Sequence, residues 1–115
     1  MAFSNTLTIP HADGNIVLTK INQDGYSSEY RFRNSIHEVK AIIRHTETKA
    51  GKDRHNVEFS QTIFATESAA EVSRKVYIVL EQSKSDVDVK LTDALADWLI
   101  ASSDAAIASL LGWES

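Results

Sequence analysis

The stretch that decides the fold is Ile36–Ala65, which reads IHEVKAIIRHTETKAGKDRHNVEFSQTIFA. Apolar and polar residues alternate in it twice, from Ile36 to Thr46 and again from Arg54 to Ala65. Because successive side chains of a β-strand point to opposite faces, each run predicts a long strand with one apolar and one polar face. The polar, glycine-containing segment Thr48–Asp53 predicts the connection between the two strands.

The same period of two continues on both sides of this stretch. It predicts four further strands, at Thr6–Pro10, Asn15–Ile21, Tyr26–Arg33 and Val72–Gln82. A glycine-containing turn joins the first two strands, so residues 5–21 are predicted to form an N-terminal β-hairpin. The remaining strands are predicted to form the main antiparallel sheet over residues 26–82, with a loop at residues 66–71.

From Asp86 onward the spacing of apolar residues becomes helical. Ser102-Ser103-Asp104 interrupts this spacing and resembles an N-cap, so residues 86–111 are predicted to form two helices. The predicted fold is therefore α+β, a single domain over residues 1–115 with a hairpin, an antiparallel β-sheet meander and two C-terminal α-helices. Along one side of each predicted helix the apolar residues form a stripe. The residues of the two stripes are Val87, Leu91, Leu95, Trp98, Leu99, Ile107, Leu110 and Leu111.

Composition excludes several classes of protein. The chain has 115 residues, a net charge of −4 and no cysteine, so disulfides and thiolate metal sites are excluded. No run of about 18 apolar residues and no secretory signal are apparent, so no membrane partner is expected. No catalytic motif such as G-x-S-x-G or H-E-x-x-H occurs, so neither an enzyme nor a small-molecule substrate is expected.

The predicted helices are too narrow to cover the predicted sheet. Burying one large apolar side chain stabilises a protein by about 1.5–3 kcal/mol, so an uncovered sheet face would lose several such contributions. A second copy whose helices cover this sheet would supply the missing cover, and open strand edges would pair in the same association. We therefore expect an obligate homodimer, with the helix stripes at the interface. The alternative is a monomer in which the chain's own two helices cover the apolar face of the sheet.

The polar face of the sheet is rich in cations. Residues 31–54 contain seven Lys and Arg residues against three acids. Lys and Arg neutralise phosphates, while an exposed aromatic such as Tyr77 stacks on unpaired bases. The residues that strand parity places on this face as candidate RNA ligands are Arg31, Arg33, Lys40, Arg44, Arg54, Asn56, Ser60, Thr62, Lys75 and Tyr77. The alternative is that these cations only pair with Glu29, Glu38, Glu58 and Glu81 across the strands.

Two clusters invite a metal interpretation. His45 and His55 flank the same connection, and a hydrogen-bonded structural pair is the favoured interpretation over a metal site. Asp86, Asp88 and Asp93 could supply oxygen ligands to a hard cation, but a solvated helix N-terminus is favoured. No cofactor and no metal-binding residues are therefore assigned.

Several strings resemble the coat proteins of single-stranded RNA bacteriophages of the levivirus type, most closely those of the Caulobacter-infecting branch. They are LTKINQDGYSSEYRF (Leu18–Phe32), RHTE (Arg44–Glu47), RHNVEFSQTIFA (Arg54–Ala65) and GWES (Gly112–Ser115). The strings follow one another over nearly the whole chain, and the order of the elements is also similar. The match depends on the strings together, in this order and spacing.

The resemblance implies an interlocked dimer with a continuous sheet of about ten strands, its helices packed over the partner subunit and its hairpin on the outer surface. It implies a virion protein, made in the bacterial host cytoplasm, that forms an icosahedral shell around genomic RNA. It also implies that Tyr77 stacks on RNA and that the protein acts as a repressor by binding an RNA hairpin. Residues 66–71 would lie at the symmetry axes of the shell. The resemblance leaves open whether calcium is bound at the contacts between subunits or no ion is present. The alternatives are a dimeric RNA-binding regulator without a shell and a ligand-binding or protein-binding domain with an incidental basic face.

Overall fold

The computed structural model describes residues 4–114. It contains six strands in the positions predicted from the alternation, with ends that differ by at most two residues. Their bounds are β1 Thr6–Ile9, β2 Ile16–Gln23, β3 Ser27–Arg33, β4 His37–Glu47, β5 Lys52–Ile63 and β6 Val72–Ser83.

The six strands form one antiparallel sheet in which every strand pairs with its neighbours in the sequence. The longest ladders join β4 to β5, from His37 opposite Ile63 to Glu47 opposite Asp53, and β5 to β6 over the whole of both strands. The register between β2 and β3 shifts between Lys20 and Asn22, which places a bulge at this junction. The predicted hairpin is thus hydrogen-bonded to the main sheet.

One face of the sheet, called the core face here, carries the buried apolar residues of the strands. Its fully buried side chains are Leu18 of β2 and Tyr30 of β3. The Tyr30 hydroxyl donates a hydrogen bond of 2.7 Å to the backbone carbonyl of Ser4. Around these two side chains lie the other buried members of the cluster, Val39, Ala41 and Ile43, and the half-buried Leu7, Ile9, Ile16, Phe32, Val57 and Phe59.

The core face is not buried along its whole width. Val76 and Ile78 of β6 belong to it by register, because they lie opposite Phe59 and Val57 of β5. They are nevertheless 61% and 37% exposed, although they share the face of the buried residues. Within the described residues β6 is also an edge strand, with no neighbour beyond it.

A second compact unit begins at Ser85 and contains the helix α1, Lys90–Leu111. The helix begins four residues later than predicted, because Asp86 and Asp88 form polar turns before it. The Asp86 carboxylate accepts a hydrogen bond from the Asp88 backbone N–H at 3.0 Å, and that of Asp88 accepts one from the Lys90 N–H at 2.8 Å. These carboxylates satisfy backbone donors at the entry to the helix.

The helix α1 contains a kink, because its backbone leaves helical angles at Ala101–Asp104. The kink lies at the position of the predicted break between two helices, so α1 consists of two helical segments joined across it. Ser102, Ser103 and Asp104 have φ values of 56°, 57° and 66°, in the left-handed region that side chains other than glycine rarely adopt. The sequence signal therefore located the irregularity, although no N-cap follows it.

None of the described residues of α1 is buried. The side chain of Trp98 is 56% exposed. Of the predicted interface residues, Leu99 and Ile107 are half-buried, and Val87, Leu91, Leu95, Leu110 and Leu111 are exposed.

Among the described residues, α1 is long and apolar enough to cross a membrane by length and composition alone. Its backbone does not fit that role. The regular part from Lys90 to Ile100 spans roughly 16 Å, about half of a hydrocarbon core. The non-helical residues 101–104 would then leave backbone polar groups without partners in lipid.

Candidate functional site

All ten predicted RNA ligands lie on the sheet face opposite the core face, which is called the basic face here. The register shows this directly, because each of them lies opposite another member of the same face on the adjacent strand. Arg31, Lys40, Ser60 and Lys75 form one continuous row across β3, β4, β5 and β6. Strand parity therefore placed the residues correctly, while their role in binding stays a prediction.

A depression of about 240 Å³ lies on the basic face where β4, β5 and β6 run side by side. Tyr77 of β6 is 61% exposed and lies directly opposite Glu58 of β5. Arg44 lies opposite Asn56, and these pairs bring cations, an amide and an aromatic ring together. The depression is called the basic pocket, and its lining residues are Arg44, Thr46, Arg54, Asn56, Glu58 and Tyr77.

Two acidic residues neutralise part of the charge of the basic face. Glu38 accepts a hydrogen bond of 2.9 Å from Arg33 and lies 3.4 Å from the Lys40 ammonium. Glu58 lies 3.8 Å from the Lys75 ammonium. The alternative of cross-strand charge pairs therefore describes Arg33 and Lys75, whereas Lys40 pairs with Glu38 within β4. The two carboxylates are only 15% and 19% exposed.

Arg33 is engaged twice, because its guanidinium also lies 5.0 Å from the centre of the Phe64 ring. By contrast, Arg31, Arg44 and Arg54 are exposed and have no side-chain ion pair within residues 4–114. Their charges are therefore available to an anion from outside the chain. Two of these three arginines, Arg44 and Arg54, line the basic pocket.

Sequence reasoning missed two residues of the basic pocket. Thr46 has the same strand parity as Arg44, and this signal was sufficient to place it. Glu58 was placed on the correct face but was considered only as a partner for cations. In the pocket Glu58 lies beside Tyr77, and it supplies the only carboxylate among the lining residues.

The structure shows how the residues of the two clusters considered for a metal ion are arranged. His45 and His55 lie opposite each other on β4 and β5, with their Nδ1 atoms 2.8 Å apart, as expected for a hydrogen-bonded pair. They have the parity of the core face, also as expected. Among residues 4–114, no group of three or more His, Asp or Glu side chains is arranged to hold a metal ion, so Asp86, Asp88 and Asp93 do not form such a group.

Solved structures with a similar fold come from RNA phages and their virus-like particles. A virus-like particle of bacteriophage AVE019 aligns over 100% of this chain and 99% of its own, with a TM-score of 0.69 and 11% identity. The bacteriophage EMS014 coat protein covers 85% of this chain and 72% of its own, with a TM-score of 0.64 and 16% identity. An unassembled virus coat protein dimer, described as a bacteriophage RNA-binding dimer, covers 96% and 93%, with a TM-score of 0.58 and 11% identity.

At such low identity these likenesses define the fold, which is that of RNA phage coat proteins. A family model gives the second step, because the model of the phage phiCb5 coat protein matches residues 4–83. The chain therefore belongs to this coat-protein family, and phiCb5 is a Caulobacter phage. A comparison with curated proteins gives no match. The resemblance and the expectation of a structural capsid protein rather than an enzyme are confirmed by the family.

Proposed function

We propose that this coat protein associates as an obligate homodimer, assembles into an icosahedral shell and binds single-stranded genomic RNA on its basic face. The observation that carries the proposal is the arrangement of the sheet. One face presents unpaired arginines around an exposed tyrosine, and the other presents uncovered apolar residues beside an open strand edge. The first arrangement suits a polyanion, and the second suits another protein surface.

The uncovered apolar surfaces support the dimer. Val76 and Ile78 are exposed on β6, and Trp98 is exposed on α1, although side chains of this kind are normally buried. In the proposed dimer the sheets join through their open edges into about ten long strands, and the helices of each subunit pack over its partner. The interface residues are Val87, Leu91, Leu95, Trp98, Leu99, Ile107, Leu110 and Leu111.

The second unit contains a groove that is suited to packing against a partner subunit. It has a volume of about 660 Å³, and most of its lining side chains are small. Small residues allow a partner backbone to approach closely, while Trp98 and Leu110 supply apolar surface. The lining residues are Trp98, Ala101, Ser102, Ala105, Ala106, Ser109, Leu110 and Glu114.

The basic pocket supports the proposed RNA contact. Tyr77 stacks on an unpaired base, and Arg44 and Arg54 contact the phosphates on either side of it. Asn56 and Thr46 supply hydrogen bonds to the base or the ribose. The remaining residues of the proposed site, outside the pocket, are Arg31, Arg33, Lys40, Ser60, Thr62 and Lys75.

The finer features follow the resemblance. We propose that residues 1–115 act as one coat-protein domain, that residues 5–21 lie on the outer surface, and that residues 66–71 meet at the symmetry axes. The same basic face also binds an RNA hairpin as a translational repressor. The protein is made in the host cytoplasm and resides in the capsid of the virion.

The test combines particle imaging with RNA binding. Electron microscopy of the purified protein should show uniform closed particles, and only dimers at high concentration would instead indicate a regulator without a shell. In filter binding with a labelled oligouridylate, Tyr77→Ala should weaken binding by about 1–3 kcal/mol through the loss of one stacked base. Tyr77→Phe should retain most of the affinity, because the ring remains.

Tyr26→Ala is the matched control, because Tyr26 is 74% exposed but lies in the turn before β3, outside the basic pocket. Equal losses in Tyr77→Ala and Tyr26→Ala would contradict the proposed site. Both variants should remain folded by circular dichroism, since neither side chain is buried.

A further inference from the structure

We propose that His45 and His55 form a binding site for a divalent transition-metal ion such as Zn²⁺, at the end of the sheet where β4 and β5 connect. The proposal is independent of RNA binding, because the two histidines belong to the core face rather than the basic face. It begins from their register, in which the two residues lie directly opposite each other on adjacent antiparallel strands.

The two imidazole rings are already arranged around a single point. Their Nδ1 atoms are 2.8 Å apart, their ring centres are 5.1 Å apart, and the ring planes differ by 70°. At this distance one Nδ1 carries a proton and donates it to the lone pair of the other. The shared proton thus occupies the position between two nitrogen lone pairs that a metal ion would also occupy.

Replacing the proton by a metal ion requires a small movement. Zn²⁺ binds imidazole nitrogen at about 2.0–2.1 Å, and tetrahedral ligands then lie about 3.4 Å apart. The rings must therefore separate by about half an ångström, which rotation about their side-chain bonds can provide. The ion binds both neutral rings through their Nδ1 atoms. The donor ring therefore loses its proton from Nδ1 and takes one up at Nε2 from solvent, so both rings stay neutral and there is no net release of protons.

The surroundings of the two rings leave room for the ion. His45 is exposed and His55 is half-buried, so the open side can hold water molecules as the remaining ligands. Glu47 and Asp53 lie opposite each other in the next row of the same face, about 7 Å further along the strands. Glu47 also lies 3.8 Å from the Lys84 ammonium.

The test is a calorimetric titration of the purified protein with Zn²⁺, using His45→Asn and His55→Asn as variants and His37→Asn as control. His37 also lies on β4 with the parity of the core face, but its Nδ1 lies 2.9 Å from the Gln61 amide nitrogen and no second histidine lies opposite it. We expect one ion per chain in the wild-type protein and in His37→Asn. Either of the other substitutions should weaken binding at least about tenfold, since even loss of an outer-shell partner of a ligand costs 10–100-fold.

A second measurement needs no substitution. Zn²⁺ should protect His45 and His55 of the wild-type protein from modification by diethyl pyrocarbonate, with the exposed His11 as the unprotected reference. The proposal is overturned if Zn²⁺ does not bind, if it binds both variants as tightly as the wild type, or if it protects His11 as well as the pair.

Discussion

At the scale of single residues, the basic face contains two kinds of cation. Arg33, Lys40 and Lys75 have carboxylate partners within the chain, whereas Arg44 and Arg54 do not. A cation that is already paired contributes less to an external anion, because its partner must first be displaced or left unpaired. The unpaired arginines should therefore account for most of the dependence of RNA affinity on salt.

This difference can be measured with single substitutions. Arg44→Ala and Arg54→Ala should each reduce the slope of log K against log salt by about 0.7 for single-stranded RNA, the value for one phosphate contact. Arg33→Ala should leave the slope nearly unchanged, because Glu38 and Phe64 already engage its guanidinium. Filter binding of an oligouridylate over a range of salt concentrations provides the slopes. Equal reductions in all three variants would contradict the distinction.

The buried Tyr30 gives a second prediction at this scale. Tyr30→Phe removes the hydroxyl that donates to the Ser4 carbonyl while the ring stays in place. We expect the free energy of unfolding to fall by about 0.5–1.5 kcal/mol, the net contribution of one such hydrogen bond. Urea denaturation measures the change, and Tyr26→Phe, at a 74% exposed ring, should show none. Identical losses in both variants would remove the assigned role of the hydrogen bond.

The sequence predicted the basic face residue by residue, because strand parity assigns every side chain of a regular strand to one face. It could not predict which cations are paired, since the pairs depend on rotamers. Glu38, for example, lies opposite Arg33 on β3 but also reaches Lys40, two residues further along its own strand. Sequence spacing alone does not decide between such partners.

At the scale of elements, the turn between β2 and β3 is held by one carboxylate. The Oδ1 atom of Asp24 accepts backbone N–H bonds from Tyr26 at 2.8 Å and from Ser27 at 2.7 Å. The Tyr26 backbone N–H, followed by the Ser27 side chain and backbone, lowers the pKa of Asp24 from its ordinary value of 3.8. The folded state therefore favours the charged form of this exposed group.

The sign of the effect on stability follows from this lowered pKa. The contribution of Asp24 is fully present above its ordinary pKa of 3.8 and is lost as the pH falls through the lower value of the folded state. In Asp24→Asn this contribution should be absent at every pH. Below about pH 4, the stability difference between wild type and variant in denaturant titrations should shrink; parallel profiles would contradict the assignment.

The strands could be predicted because a regular alternation of apolar and polar residues is characteristic of a half-buried strand, and the structure confirms all six. The start of α1 could not be predicted from the sequence. Asp86 and Asp88 are as suitable for the first turn of a helix as for the polar turns that precede the helix in the structure. The break near Ser102 could be predicted, because polar residues interrupt the helical spacing there, and the backbone of α1 leaves helical angles at the same position.

At the scale of the whole molecule, neighbouring residues of β6 provide a direct test of the dimer. Ile78 and Val79 are 37% and 38% exposed but lie on opposite faces of the sheet. Ile78→Lys places a charge on the core face, where the proposed dimer covers β6, and should convert the protein to monomers in light scattering. Val79→Lys places the same charge on the basic face and should leave dimers intact.

The Val79→Lys control distinguishes an effect on the dimer interface from an effect on the strand pairing of β6. If both lysine variants dissociate, the substitutions disrupt the pairing of β6 rather than the contact between the core face and the partner. The proposed position of the partner helices would then be wrong. If neither variant dissociates, the core face of β6 is not covered by a partner. Each result can be checked against unfolding midpoints, which should rise with protein concentration only for dimeric variants.

The neighbour-to-neighbour order of the strands also bears on how the chain is synthesised. Each strand can pair with the preceding one soon after it leaves the ribosome, because no pairing waits for a distant segment. β6 is the last of the described strands to emerge, so the edge that it leaves open forms only after the other five strands have been made. Until then, neighbouring nascent chains on one messenger cannot become entangled through that edge.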